Sequence, residues 1–187
     1  MSVGLQRGTV RLEPHQLQWE QSARDTILQL KALLPDIIMD AQHIGSTSVP
    51  AVWAKPIIDI VIGVRDFQAL TEMNPLLEKH GFIYRGQDQP EQHLYVCGTD
   101  IVRTHHIHAV IWKHEAWNNY ISFRDYLNAH PQSADAYCKL KKALAVQYPD
   151  DRVQYTAMKS NFIHQILTAA SEWQTGRNMQ NDVHASE

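Results

Sequence analysis

The chain has 187 residues, 44% hydrophobic and 20% charged, with a net charge of −3. That length fits one domain with a sizeable core. The mild acidity excludes a global basic field for nucleic acid, and no run approaches the roughly 18 apolar residues of a membrane span.

Residues 1–8 read as a loose start, and Thr9 to Leu12 as a short strand. Pro14 fits the first turn of a helix in which Leu17, Ala23, Ile27, Leu30 and Leu34 recur at helical spacing until Pro35. Ile37 to Ile44 reads as a strand, followed by a polar loop and a second strand, Ile57 to Val64. Asp66 is a helix N-cap, with Phe67, Leu70, Met73, Leu76 and Leu77 as the buried stripe and Gly81 at the exit. Phe82 to Tyr84, His93 to Cys97 and Thr104 to Trp112 read as strands, and Arg85 to Gln92 as a polar turn. From His114 the pattern is helical. Trp117, Tyr120, Ile121 and Leu127 mark one helix, Tyr137, Leu140 and Leu144 a second capped by Ser133, and Met158, Phe162, Ile166 and Ala170 a third from about Val153. The expected class is α+β: a small mixed sheet with flanking helices over 1–112, three C-terminal helices packed on it over 113–173, and a disordered tail over 174–187. Cys97 and Cys138 are far apart and lack metal or redox spacing, and the N-terminus has no basic-then-apolar signal pattern, so the expected location is the cytoplasm.

The chemistry concentrates between His43 and Ile62. Gly45, Ser46, Thr47, Ser48 and Lys55 crowd into eleven positions, and Asp59 then breaks an apolar run. A glycine lets backbone approach a ligand, and hydroxyls with free amides at a turn suit phosphate oxygens. The plain alternative is a turn in which Ser48 is satisfied locally. A carboxylate in a buried strand needs a cation, a metal or hydrogen-bond donors, and a structural salt bridge would serve as well. On a later strand His106 and His108 point the same way, and His105 the other. Two such imidazoles beside a carboxylate suit Zn²⁺ or Mn²⁺ better than Mg²⁺; two half-exposed histidines on a sheet face are the competing reading. Arg103 could grip a phosphate or carboxylate, while Lys141, Tyr155 and Lys159 add positive charge and a phenol on the C-terminal helices.

His43-Ile-Gly-Ser-Thr-Ser-Val-Pro, Lys55-Pro-Ile-Ile-Asp-Ile, His105-His-Ile-His, Phe123-Arg-Asp-Tyr-Leu, Leu140-Lys-Lys-Ala-Leu-Ala and Tyr155-Thr-Ala-Met-Lys, in that order, resemble the GrpB family over about residues 9–170. The resemblance implies a nucleotidyltransferase-like fold, in which a Gly-Ser loop holds a nucleotide triphosphate and strand carboxylates hold Mg²⁺ or another divalent ion. Gly45 and Ser46 match the loop and Asp59 the first carboxylate. The second carboxylate is replaced by Val61 and the third by His106 and His108. Ala51 stands where the family usually has glycine, and Gln42 where it has glutamate.

The leading expectation is a nucleotidyltransferase-like protein binding a nucleotide or other phosphorylated small molecule with a divalent metal (Mg, Mn or Zn). Gly45, Ser46, Thr47, Ser48, Lys55, Lys141, Tyr155 and Lys159 would serve the phosphate, Asp59, His106 and His108 the metal, and Asp59 with Arg103 any catalysis. One alternative is a non-catalytic module of the same fold that binds a nucleotide or docks on a protein partner or RNA; the charge argues against general nucleic-acid binding. The other is a metal-dependent hydrolase.

Overall fold

A computed structural model describes the backbone of residues 3–184 and side chains through 177. Five strands form one sheet in the order β2-β3-β6-β5-β4: β2 is Ile38–Ile44, β3 Ile58–Val64, β4 Ile83–Gln89, β5 Gln92–Gly98 and β6 Val102–Ile111. The short β1, Leu5–Gln6, pairs with the start of β6. Only β3 and β6 run parallel; the other neighbours are antiparallel. Period-2 alternation therefore gives β3 two faces. Ile58, Ile60 and Ile62 join Ile107, Ala109 and Tyr95 in the main core, while Asp59 and Val61 face the other way.

The main core is closed by α1 (Leu17–Leu33), α2 (Phe67–Glu72) and α3 (Asn74–Lys79). The buried stripe of α1 is Trp19, Ala23, Thr26 and Leu30, and Leu17 at its start is 79% exposed. Pro14 precedes that helix, and Gln16 is its N-cap. The strand expected at Thr9 to Leu12 is absent; the first pairing comes earlier, at Leu5, and Glu13 makes a bridge with Ala54. The single helix expected after Asp66 is two. Asp66 does cap α2, its carboxylate accepting from the Ala69 amide at 2.8 Å, but Pro75 has no N–H to continue the ladder and opens α3 instead.

Four helices lie over the opposite face: α4 Glu115–Ala129, α5 Pro131–Gln147, α6 Arg152–Ala157 and α7 Ser160–His184. Pro131, rather than Ser133, begins α5, as its fixed φ suits a first helical position. The last expected helix is split in two between Ala157 and Ser160. Helix α7 runs on through 174–184, where a loose tail is expected; residues 185–187 of that tail lie outside the described residues. The segment Arg85 to Gln92 is also more ordered than expected, continuing β4 into β5 as a hairpin.

Two contacts connect this helical layer to earlier parts of the chain, the first of them to the loop after β2. Val49 and Val52 pack with Leu127, Tyr137, Cys138 and Ile166. Val10 packs with Leu144 and Tyr155. The loop is thereby held down over the sheet face that carries Asp59.

Candidate functional site

Parallel pairing sets Asp59 beside His106 and Val61 beside His108. Asp59 Oδ1 lies 3.1 Å from His106 Nδ1 and 3.5 Å from His108 Nε2. Burial by itself would raise the Asp59 carboxyl, but hydrogen bonds and charge from the two imidazoles bring it well below its ordinary value. Burial lowers His106, with the hydrogen bond and charge of Asp59 opposing. His105 points into the opposite face as its position predicts, 3.1 Å from the Ser22 hydroxyl and 3.3 Å from that of Thr26. Burial pushes it down to about 4.

The loop crosses directly above the acid. Gly45 has φ +68 and ψ −170, and a Cβ there would stand 2.6 Å from Asp59 Oδ2. Only glycine suits both that backbone region and that approach. Residues Ser46–Ser48 form one 3-10 turn. The Ser48 hydroxyl donates to the Gly45 carbonyl at 2.6 Å, closing the turn, and Ser48 does not line the cavity described below. Thr47 is buried and paired with His43 Nε2 at 2.8 Å. Arg124 fastens the strand leading into the loop, donating to Gln42 Oε1 at 2.8 Å and to the His43 carbonyl at 3.0 Å. Glutamine at 42 thus keeps the acceptor that the usual glutamate would supply, without its charge.

A cavity of about 180 Å³ opens between this turn, β3 and the helices. Ser46, Thr47, Asp59 and His106 line it. Lys55, Lys141, Arg152 and Lys159 line it too, with Tyr155 and Thr156. Burial, then the neighbouring positive charges of Lys159 and Arg152, lowers the Lys55 ammonium to about 8. Burial lowers Lys159 to about 8 as well, with Asp59 opposing and Arg152 assisting. Lys141 is 2% exposed and donates to the Trp53 carbonyl at 2.6 Å; burial and the charges of Lys159 and Lys55 hold it well below its ordinary value. Tyr155 is fully buried with no hydrogen-bond partner for its hydroxyl, and its ring lies 4.5 Å from Lys159 Nζ and 5.3 Å from Lys55 Nζ. Four basic side chains and one carboxylate thus line a cavity with a phenol that has no hydrogen-bond partner.

The structure thus gathers Gly45, Ser46, Thr47, Lys55, Asp59, His106, Lys141, Tyr155 and Lys159, with His108 reaching Asp59 without lining the cavity. Arg103 does not line the cavity. It is 4% exposed with Nη1 unpartnered, among Arg85, Arg7 and Arg152, whose charges add to burial in lowering it. Arg152 occupies the place expected of Arg103. Arg152, Tyr155, Thr156 and Lys159 follow i, i+3, i+4, i+7 spacing, one helical face, which is the signal that could have found Arg152 and Thr156.

One ligand atom each from Asp59, His106 and His108 lies within 4.8 Å of the others, which fits one divalent ion. A second ion has no second acid to hold it. Val61 is fully buried against Ile44, Val110 and Trp117 where the second carboxylate would stand.

Residues 9–169 match the family model described as GrpB protein. Glutamate-rich protein GrpB of Alkalihalophilus pseudofirmus is 34% identical over 170 residues, which are 88% of this chain and 98% of that protein. YqkA of Bacillus subtilis is 35% identical over 164 residues, 88% of this chain and 48% of its own length, so the chain spans about half of that relative. The crystal structure of GrpB from Enterococcus faecalis has a TM-score of 0.82 at 31% identity, covering 88% of this chain and 99% of that one. The Cid1 poly(U) polymerase with Mg 3'-dATP bound has a TM-score of 0.50 at 13% identity, covering 72% of this chain and 43% of that one, a likeness of fold alone. The fold is α+β and nucleotidyltransferase-like.

Proposed function

The chain belongs to the GrpB family, and from that premise we propose that it binds the phosphorylated end of a nucleotide or other small molecule, together with one divalent metal ion, in the cavity above Asp59. The observation that carries this reading is that Lys55, Lys141, Arg152 and Lys159 line one cavity with Asp59 and His106, while His108 reaches the same Asp59 oxygen as His106. At about 180 Å³ the cavity falls short of the roughly 300–1,000 Å³ that encloses a drug-sized ligand. It therefore takes the anionic end and leaves the rest of the molecule outside. Tyr155 is the one phenol in its lining, and two ammonium groups already lie over that ring. Affinity accordingly comes from the phosphate rather than from base stacking.

Asp59, His106 and His108 would hold the metal, whose contribution is to neutralise and polarise a phosphoryl oxygen. The chain's own share is positional. Lys55, Lys159 and Arg152 offset ligand charge, Ser46 and Thr47 offer hydroxyls, and the Tyr155 phenol gains a partner. Phosphoryl or nucleotidyl transfer needs little covalent help from protein, so such a wall suffices for turnover in the cytoplasm. A second reading, a binding module without turnover, is favoured by one observation: apolar Val61 in place of a second carboxylate.

Thermal melting with nucleotides, orthophosphate and pyrophosphate, with and without Mn²⁺, Zn²⁺ and Mg²⁺, tests both readings. A ligand at 100 times its Kd adds about 2.7 kcal/mol, a rise of roughly 5–10 °C at this length. Metal-dependent stabilisation that is lost in Asp59→Ala supports the proposal, and released phosphate or pyrophosphate separates enzyme from module. Zinc retention with no response to any phosphate would point to a hydrolase instead.

A further inference from the structure

Gln92 opens β5, is 2% exposed, and places its amide nitrogen 3.0 and 3.2 Å from the two carboxylate oxygens of Asp88. A carboxylate only accepts, so this contact decides which end of the amide is nitrogen. The Gln92 oxygen then faces the Tyr120 hydroxyl on α4 at 2.6 Å. An amide oxygen also only accepts, so the single phenol proton is committed to it. That leaves the Tyr120 oxygen as an acceptor towards His108 Nδ1, 3.2 Å away. His108 must carry its proton on Nδ1.

The consequence falls on the other ring nitrogen. In neutral His108 the Nε2 atom bears a lone pair, and it stands 3.5 Å from Asp59 Oδ1, itself an acceptor. Two electron pairs facing one another repel unless a proton or a metal ion lies between them. Ligands about 2.0–2.1 Å from a tetrahedral ion lie about 3.3 Å apart, and the two imidazole-to-Asp59 separations, 3.1 and 3.5 Å, fall on either side of that value.

We propose that Tyr120 and Gln92 are positioning residues that hold His108 as the Nδ1–H tautomer, making Asp59, His106 and His108 a site selective for a borderline ion such as Zn²⁺ or Mn²⁺ over Mg²⁺. The inference rests on the metal-binding reading above and specifies its metal class. Neutral imidazole is a good ligand for the borderline ions and a poor one for Mg²⁺. Hydrogen-bond partners of this kind fix a ligating histidine's tautomer and orientation.

Imidazole nitrogen NMR of the metal-free chain in mildly alkaline buffer reads the tautomer directly, with His108 assigned through His108→Gln. The expected result is Nδ1–H in the unaltered chain and Nε2–H in Gln92→Met, where the phenol proton is free to turn towards Nδ1. Chelator competition should show Zn²⁺ bound more tightly than Mg²⁺, and both Gln92→Met and Tyr120→Phe should weaken Zn²⁺ by about 10–100-fold. Circular dichroism confirms that each variant is folded. An Nε2–H His108 in the unaltered chain, or unchanged Zn²⁺ affinity in both variants, overturns the inference and leaves metal binding standing. An unaltered chain that takes up no divalent ion overturns the metal reading and the selectivity together.

Discussion

Replacing Gly45 by alanine tests the close passage of the loop over the acid. The backbone there, φ +68 and ψ −170, lies in a region open almost only to glycine, at a cost of about 1–3 kcal/mol for another residue. The new methyl would also stand 2.6 Å from Asp59 Oδ2 and 2.9 Å from Asp59 Cβ, and overpacking of that kind costs about 1–3 kcal/mol more. The sum, about 2–6 kcal/mol, lowers the melting temperature by roughly 5–20 °C for a chain of this length. Gly8→Ala is the control, since Gly8 has φ +91 and nothing within 4 Å of its added Cβ; it carries a backbone effect alone. Repeating Gly45→Ala in an Asp59→Ala background removes the Oδ2 contact and keeps the Cβ contact, so the loss should shrink without vanishing. Melting curves for the two single variants, the double variant and the control decide the matter. Equal losses for Gly45→Ala and Gly8→Ala, or a loss indifferent to the Asp59 background, would refute the reasoning.

Lys55 and Lys159, ordinarily near 10.5, are brought to about 8 by burial. Between about 8 and 10.5 the unfolded chain holds more protons than the folded one, so their contribution makes stability rise with pH across that window; urea titrations at several pH values read the slope. Orthophosphate affinity should run the other way, falling as pH passes about 8 and the ammonium groups lose their charge, as calorimetry would show. Val61→Asp places an acid in a fully buried apolar contact and should cost about 4 kcal/mol or more at neutral pH, from a pKa rise of 3–5 units. Recovery of a two-ion centre with intact stability would contradict that. Arg103→Met removes a buried guanidinium that makes no ion pair among the described residues. Urea unfolding should find it neutral to stabilising, by up to about 4 kcal/mol; a loss of that size would show that the guanidinium has a partner in solution.

The central part of the site was legible because burial makes polar exceptions conspicuous. Asp59 stood out against isoleucines on both sides, and strand alternation alone put His106 and His108 together with His105 apart. The Gly45 turn was legible as well, although its tight fit against Asp59 was not, since that depends on a backbone angle and a packing distance. Arg152 was missed because it follows Asp150 and Asp151 and reads as loop, whereas the fold begins a helix there and turns it inward with Tyr155. Arg103 does not line the cavity, and a lone arginine near the histidines gives no sign in the sequence of which space its side chain enters. The segment Arg85 to Gln92 reads as a turn because it is polar on both faces; in the fold it pairs as β4 with β5, and β5 is in turn held by β6, a long-range fact. Leu17 shows the same limit on α1, where the true phase is set by Trp19 against the sheet.

The hollow's acid and imidazole come from the sheet, and its cations come from Lys55 and from the helical layer. Anything bridging the two sets works as a rivet between layers. Filling the hollow should slow the peeling of helix from sheet, so occupancy would register as mechanical and proteolytic resistance far from the contacts themselves.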